Sequence, residues 1–278
     1  MNATVTLPNG REVPSLGLGT WHMGERIGDP ANEALALKRG LDLGATLIDT
    51  AEMYARGGAE RVVAEAIKGR REEVFVVSKV LPHNASRQGT VRACENSLQR
   101  LGVDMIDLYL LHWPGPHPLS DTVEAFHELK RTGKIQAWGV SNFDTSDMED
   151  LWDVPGGADC QTNQVLYNLM RRGVEWDLFP WCAKNNVSVM AYSPLEQGRL
   201  LNNRKLNFIA KKLNLSAAQV AISWTLRKKG IISIPKASSI KHVEENIGAW
   251  SVDLDKIDCD ALDEEFKPPV KKGILNIL

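Results

Sequence analysis

Four polar residues, Asp49, Tyr54, Lys79 and His112, each follow a short apolar run, in the segments Leu-Ile-Asp-Thr-Ala-Glu-Met-Tyr, Val-Val-Ser-Lys and Leu-Leu-His-Trp-Pro. As a set they suit delivery of a proton to an oxygen that is gaining charge, the step that reduction of a carbonyl by hydride requires. An unperturbed tyrosine, with a pKa of about 10, is too weak an acid for that step at neutral pH. Lys79 beside Tyr54 would favour the ionised oxygen, and Asp49 would keep the lysine charged and oriented. His112 would donate a hydrogen bond that positions the substrate oxygen and stabilises charge there. Taken singly, each of these residues reads as a solvated or capping group; together, at the ends of successive apolar runs, they make one coherent acid mechanism.

The elements that must position them alternate. Short apolar runs at 15–19, 45–49, 73–79, 106–112, 135–141, 160–164, 188–193 and 231–234 read as parallel strands buried on both faces. Stretches of helical period lie near 31–43, 58–69, 87–101, 120–132, 145–153, 174–185, 206–213, 216–229 and 239–248. Ser216 with Gln219 three positions on is a capping-box pattern, and Gly102, Gly133 and Gly230 stop helices. Eight strands alternating with helices predict an α/β fold, a (β/α)8 TIM barrel, in which polar residues at the carboxyl ends of the strands converge on one face. Ahead of the first barrel strand, Thr-Val-Thr-Leu-Pro-Asn-Gly-Arg-Glu-Val reads as a hairpin turning at Asn9-Gly10, both with positive φ, that closes the barrel bottom. After Lys267 the Pro- and Lys-rich sequence reads as a short tail.

A chain of 278 residues, 43% hydrophobic, is expected to form a single barrel domain over 1–278. Its net charge of −2 comes from interspersed acidic and basic residues, which argues against nucleic acid and anionic membranes as partners. The first residues lack a basic segment followed by an apolar stretch, and no 18 consecutive apolar residues occur, so a cytoplasmic protein is expected. Cys94, Cys160, Cys182 and Cys259 are scattered without paired spacing and read as packing residues. His112 and His117 are five apart with no third ligand nearby, so no metal site is expected. The Gly17–Gly24 stretch misses the spacing of a dinucleotide fingerprint on a doubly wound sheet.

Together with Asp-Leu-Tyr-Leu-Leu-His-Trp-Pro and Gly-Val-Ser-Asn-Phe, the segments around the four polar residues resemble the signatures of the aldo-keto reductase family, in the family's order from Gly17 to Ala237. The resemblance implies Asp49, Tyr54, Lys79 and His112 as a catalytic tetrad, with Tyr54 the general acid, and NADPH as cofactor. It further implies that Thr20, Trp21 and Asp49 border the cofactor, and that Ser141, Asn142 and Gln164 bind its carboxamide. Tyr192 would stack on the nicotinamide, Ser193 and Leu195 would lie along the pyrophosphate, Lys236 and Ser238 would meet the 2′-phosphate, and Glu245 and Asn246 the adenine. His242 stands where the family usually has an arginine, which removes a bidentate guanidinium and admits NADH as well.

Trp21, Tyr54, His112 and Trp113 would wall a substrate pocket, with Met23, His83 and Trp181 as weaker candidates. The short tail predicts an open site that takes small aldehydes, dicarbonyls such as methylglyoxal, or aromatic and sugar-derived carbonyls, and the stretches Asp-Thr-Ala-Glu-Met-Tyr-Ala and Trp-Asp-Val-Pro-Gly-Gly resemble bacterial reductases of methylglyoxal. A monomer is expected. The alternative is a cofactor-binding, redox-sensing regulatory subunit of the same fold with little turnover.

Overall fold

The computed structural model describes residues 3–278. It opens with a two-stranded hairpin, β1 (Thr4–Thr6) against β2 (Glu12–Pro14), with Val5 facing Val13. Only Gly10 of the expected Asn9-Gly10 pair has a positive φ, of 84°. Pro8 and Asn9 take the central positions of the turn instead, closed by a bond from Gly10 N to Leu7 O at 2.8 Å.

The barrel follows as β3 (Leu18–Gly19), α1 (Pro30–Asp42), β4 (Leu47–Asp49), α2 (Gly58–Ile67), β5 (Phe75–Val80), α3 (Arg87–Leu101), β6 (Ile106–Leu111), α4 (Leu119–Arg131) and β7 (Ile135–Ser141). It continues through α5 (Thr145–Trp152), β8 (Thr162–Leu166), α6 (Leu178–Lys184), β9 (Ser188–Tyr192), α7 (Arg204–Lys212), α8 (Ala217–Leu226), β10 (Ile231–Ile234), α9 (Ile240–Ile247) and α10 (Lys256–Glu265). The eight strands β3 to β10 pair in parallel, each with the next in sequence. Parallel bridges from Leu16 to Ser233 and from Gly19 to Lys236 join the last strand to the first and close the cylinder. Gly19 is required at that seam, since a Cβ there would lie 2.8 Å from Ile234 O.

Two apolar layers result from the alternation of side chains along each strand. Leu47, Phe75, Val77, Leu108, Leu110, Ala137, Met190, Ile232 and Ile234 fill the barrel, and Val5, Leu7 and Val13 of the hairpin pack onto the same cluster, so the hairpin plugs one end. Ile48, Val76, Val80, Tyr109, Val140 and Val189 point the other way and pack under the helices. Continuing the inward series by two residues leads from Leu47 to Asp49, from Val77 to Lys79, from Leu110 to His112 and from Met190 to Tyr192. The polar residues thus extend the apolar interior at the end opposite the hairpin.

Most expected elements lie within three residues of those observed, with two departures. The stretch 174–185 is a single turn at Gly173–Glu175 followed by the shorter α6. Pro180 has no N–H and is tolerated only in a first turn, so a continuous helix cannot run through it. The region after α9 holds a further helix, α10, capped by Asp255, whose side chain accepts from Asp258 N at 2.8 Å. Its apolar face is sparse, with Leu262 buried and Ile257 exposed, so its helical period is faint. Among the described residues no helix is long and apolar enough to cross a membrane.

Candidate active site

At the carboxyl ends of the strands opens a cleft of about 620 Å³. The Lys79 ammonium is fully buried beneath it and donates to Asp49 Oδ2 at 2.8 Å, to Thr50 O at 2.8 Å and to Tyr54 Oη at 3.2 Å. Asp49 Oδ1 accepts from Gln164 Nε2 at 2.7 Å, which links the second barrel strand to the sixth across the lumen. The Tyr54 ring meets the His112 ring edge-on at 5.7 Å and the Trp21 ring at 4.8 Å.

Tyr54 reaches the cleft because the chain reverses just beyond β4. Ala55, Arg56 and Gly57 all have left-handed backbones, with φ of 50°, 53° and 81°. For the two residues with side chains this costs of order 1–3 kcal/mol each, the sort of strain that persists where surrounding structure enforces it. The loop carrying Trp21 is similarly constrained: His22 has φ 66°, and Gly24 N donates to Glu33 Oε2 at 2.8 Å.

The electrostatics follow from burial. Desolvation, then the Asp49 charge and then Tyr192 raise the Tyr54 pKa well above 10.0, so its hydroxyl carries the proton at neutral pH. Resting Tyr54 is therefore a protonated donor. Burial also lowers the Lys79 pKa from 10.5, against the raising influence of Asp49. His112 falls well below 6.5, through burial first and Lys79 second, and stays neutral. Its buried Nδ1 has no partner among the described residues. A bare acceptor is tolerated better in the interior than a bare N–H, which places the proton on Nε2, where it can be donated.

Beside this cluster, Asn142, itself left-handed at φ 58°, donates to His112 O at 3.0 Å and accepts from Tyr192 Oη at 2.9 Å. Ser141 Oγ donates to Gln164 O at 2.9 Å, and Thr20 Oγ1 to Asp49 O at 2.9 Å. Gln164 Oε1 makes no hydrogen bond among the described residues, so the side chain that holds Asp49 with its amine keeps an acceptor for a ligand. Ser193 and Leu195 begin a loop in which Ser193, Glu196, Gln197 and Gly198 all have positive φ. Buried Glu196 anchors it by accepting from Arg171 Nε at 2.9 Å and Asn168 Nδ2 at 2.8 Å. Across the cleft lie Lys236, Ser238, His242, Glu245 and Asn246, with Ser239 capping α9.

Every residue expected at the site lines the cleft except Lys79, which lies directly under it. The three weaker candidates do not reach it: Met23 is wholly buried in core, Trp181 packs edge-on against Trp152, and His83 lies outside the lining. The expectation of an open site is also revised. Ile277 and Leu278 line the cleft, Leu278 N donates to Tyr192 Oη at 3.4 Å, and Lys272 pairs with Asp177 at 3.1 Å, so the tail folds back along the mouth. No periodicity marks this segment, since it is held by isolated polar contacts. Gln197 and Gly198 were equally invisible, the sequence having no strand there to extend. Among the described residues no group of three or more His, Cys, Asp or Glu could hold a metal.

Residues 15–265 match the sequence profile of the Aldo/keto reductase family. The chain belongs to that family. It is 50% identical over 271 residues to the methylglyoxal reductase YeaE of Escherichia coli (strain K12), covering 96% of this chain and 95% of that protein. It is 36% identical over 260 residues to the glyoxal reductase of Bacillus subtilis (strain 168), covering 94% and 91%. Among solved structures, an aldo/keto reductase from Klebsiella pneumoniae in complex with NADP and acetate aligns with a TM-score of 0.97 at 47% identity, over 100% of both chains. The family, the barrel and an oxidoreductase activity are as the sequence motifs implied, and nothing among these relatives favours a regulatory subunit. Of the tetrad candidates, Asp49, Lys79 and His112 stand at or next to strand ends, and Tyr54 stands on the turn beyond β4.

Proposed function

We propose that this chain reduces small aldehydes and dicarbonyls, methylglyoxal among them, with NADPH as preferred cofactor and Tyr54 as proton donor. The observation that carries the reading is the Tyr54 hydroxyl 3.2 Å from the buried Lys79 ammonium, at the floor of a cleft with an uncommitted Gln164 acceptor. The residues present fit a nicotinamide dinucleotide: Ser141, Asn142 and Gln164 offer hydrogen bonds for a carboxamide, Tyr192 offers a ring face, and Lys236, Ser238 and His242 offer positive charge and donors for a phosphate. When bound, NADPH supplies the hydride.

Neutral His112 donates from Nε2 to the carbonyl oxygen and orients it, and the Tyr54 proton passes to that oxygen as it becomes an alkoxide. Lys79 then stabilises the phenolate left behind, held in place by Asp49, while Gln164 ties Asp49 to the cofactor side. Trp21, Met53 and Trp113 with Ile277 and Leu278 give the substrate apolar walls. We place the protein in the cytoplasm as a monomer, a setting suited to its four free cysteines.

The test is oxidation of NADPH and of NADH with methylglyoxal as acceptor. Turnover is expected with both and faster with NADPH; cofactor binding without turnover would overturn the reading. Lys236→Ala should raise the KM for NADPH about tenfold or more, the worth of a charge-assisted hydrogen bond, and leave that for NADH nearly unchanged. The pH profile of kcat/KM should show no limb near 6.5, since His112 is neutral throughout. It should fall on the alkaline side below 10.5, where depressed Lys79 loses its proton before raised Tyr54 does. A titration near 6.5 would place a charged imidazole in the mechanism.

A further inference from the structure

Glu60, on the first turn of α2, is a fully buried carboxylate that the mechanism above does not use. It accepts from Ser78 Oγ at 2.7 Å through Oε1 and from Arg100 Nε at 2.5 Å through Oε2. Ser78 precedes Lys79 on β5, and because side chains alternate along a strand, it points out of the barrel toward α2 while Lys79 points in. Arg100, on α3, donates also to Ser97 Oγ at 3.0 Å, which fixes the guanidinium.

The same arginine packs on the reversal that presents Tyr54. A Cβ on Gly57 would lie 2.4 Å from Arg100 Cδ and 2.5 Å from its Nε, so the last left-handed residue after Tyr54 rests directly on that side chain. Glu60 itself begins three residues beyond Gly57. On its other flank the turn is held by Gly58, where a Cβ would lie 2.6 Å from Gly24 O in the Trp21 loop. One buried carboxylate therefore joins the strand bearing Lys79 to the turn bearing Tyr54, from outside the barrel. Its charge also favours the ammonium form of Lys79.

We propose that Glu60, acting through Arg100 and Ser78, is a positioning residue for proton transfer that sets the Lys79–Tyr54 contact. Neither Glu60 nor Arg100 lines the cleft, so neither touches substrate or cofactor. The inference rests on the reductase reading for its kinetic consequence, and on the geometry alone for its structural one.

The decisive variant is Glu60→Gln, which keeps the size of the side chain and an acceptor for Ser78 while removing the charge that holds Arg100. Assayed well below its melting temperature, it should lose about 10- to 100-fold in kcat, the scale expected for a misplaced reacting group. KM for the aldehyde and Kd for NADPH should stay at wild-type values, and the solvent deuterium isotope effect on kcat should rise as proton transfer becomes limiting. In its crystal structure the Lys79 Nζ to Tyr54 Oη separation should exceed about 3.5 Å, beyond hydrogen-bond reach. Ser78→Ala, which cuts the link to β5 and leaves the Glu60–Arg100 pair, should show the same pattern more weakly, and it serves if Glu60→Gln does not fold. Folded variants with wild-type kcat, isotope effect and Lys79–Tyr54 separation would overturn the proposal. Wild-type protein without turnover would defeat the reductase reading, and the crystallographic distance would still decide the positioning role.

Discussion

Replacing Tyr54 with phenylalanine should lower kcat for aldehyde reduction by about 10²- to 10⁴-fold, the usual contribution of a positioned proton donor. Affinity for NADPH is expected to stay at the wild-type value. The ring is nearly buried and keeps its edge contact with Trp21, so the substitution removes one oxygen and no packing. Lys79 retains Asp49 and Thr50 as acceptors, so the variant should stay folded. Steady-state NADPH oxidation with methylglyoxal, paired with a cofactor titration, separates the two effects. Wild-type kcat in the variant would remove Tyr54 from proton delivery, and a parallel loss of cofactor affinity would show that the hydroxyl shapes the nucleotide side of the cleft.

Lys79→Met should have a second large effect, on stability as well as activity. The ammonium and the Asp49 carboxylate form a pair with almost no solvent access, at 2.8 Å. Taking away one partner leaves the carboxylate with Gln164 Nε2 as its remaining side-chain donor, and breaking such a pair costs about 3–5 kcal/mol. For a chain of this size that lowers the melting temperature by something on the order of 10 °C. Reductase activity should be lost too, since nothing then stabilises the Tyr54 phenolate. The double variant Asp49→Asn, Lys79→Met, which removes both charges, should recover most of the melting temperature and none of the activity. Thermal unfolding followed by circular dichroism tests this. A single variant as stable as wild type would mean that water reaches Asp49.

What could be read in advance divides along a physical line. Asp49, Lys79 and His112 were legible because each closes an apolar run that reads as a buried strand, and strand ends gather on one face of a barrel; Tyr192 was marked by the family resemblance. Tyr54 lies off any strand, and its place depends on three left-handed residues that no period encodes; the family motif marked it, and the backbone reversal appears only in three dimensions. The tail was misjudged for the converse reason. Ile277 and Leu278 are short-range unremarkable, and their position depends on the Lys272–Asp177 pair and a bond from Arg171 Nη1 to Asn276 Oδ1 at 3.2 Å, contacts between distant parts of the chain. Helix α10 was missed because its one buried apolar residue, Leu262, gives no repeat to detect. Glu60 escaped notice as an ordinary helix-start acid, since burial is a property of the fold and not of the residue.

The two-step alternation inside the barrel constrains how such a chain can change over evolutionary time. Because Asp49, Lys79 and His112 each stand at or next to the end of a strand whose earlier inward residues pack in one cluster with the hairpin, losing or gaining one residue within that strand would turn the side chain outward and bring its neighbour into the cleft. Strand interiors should therefore tolerate exchanges of side-chain size and resist any change in length. Variation in length belongs after the strand ends, in segments such as 193–198 and the tail, where it alters which molecules are admitted while the reacting atoms keep their places.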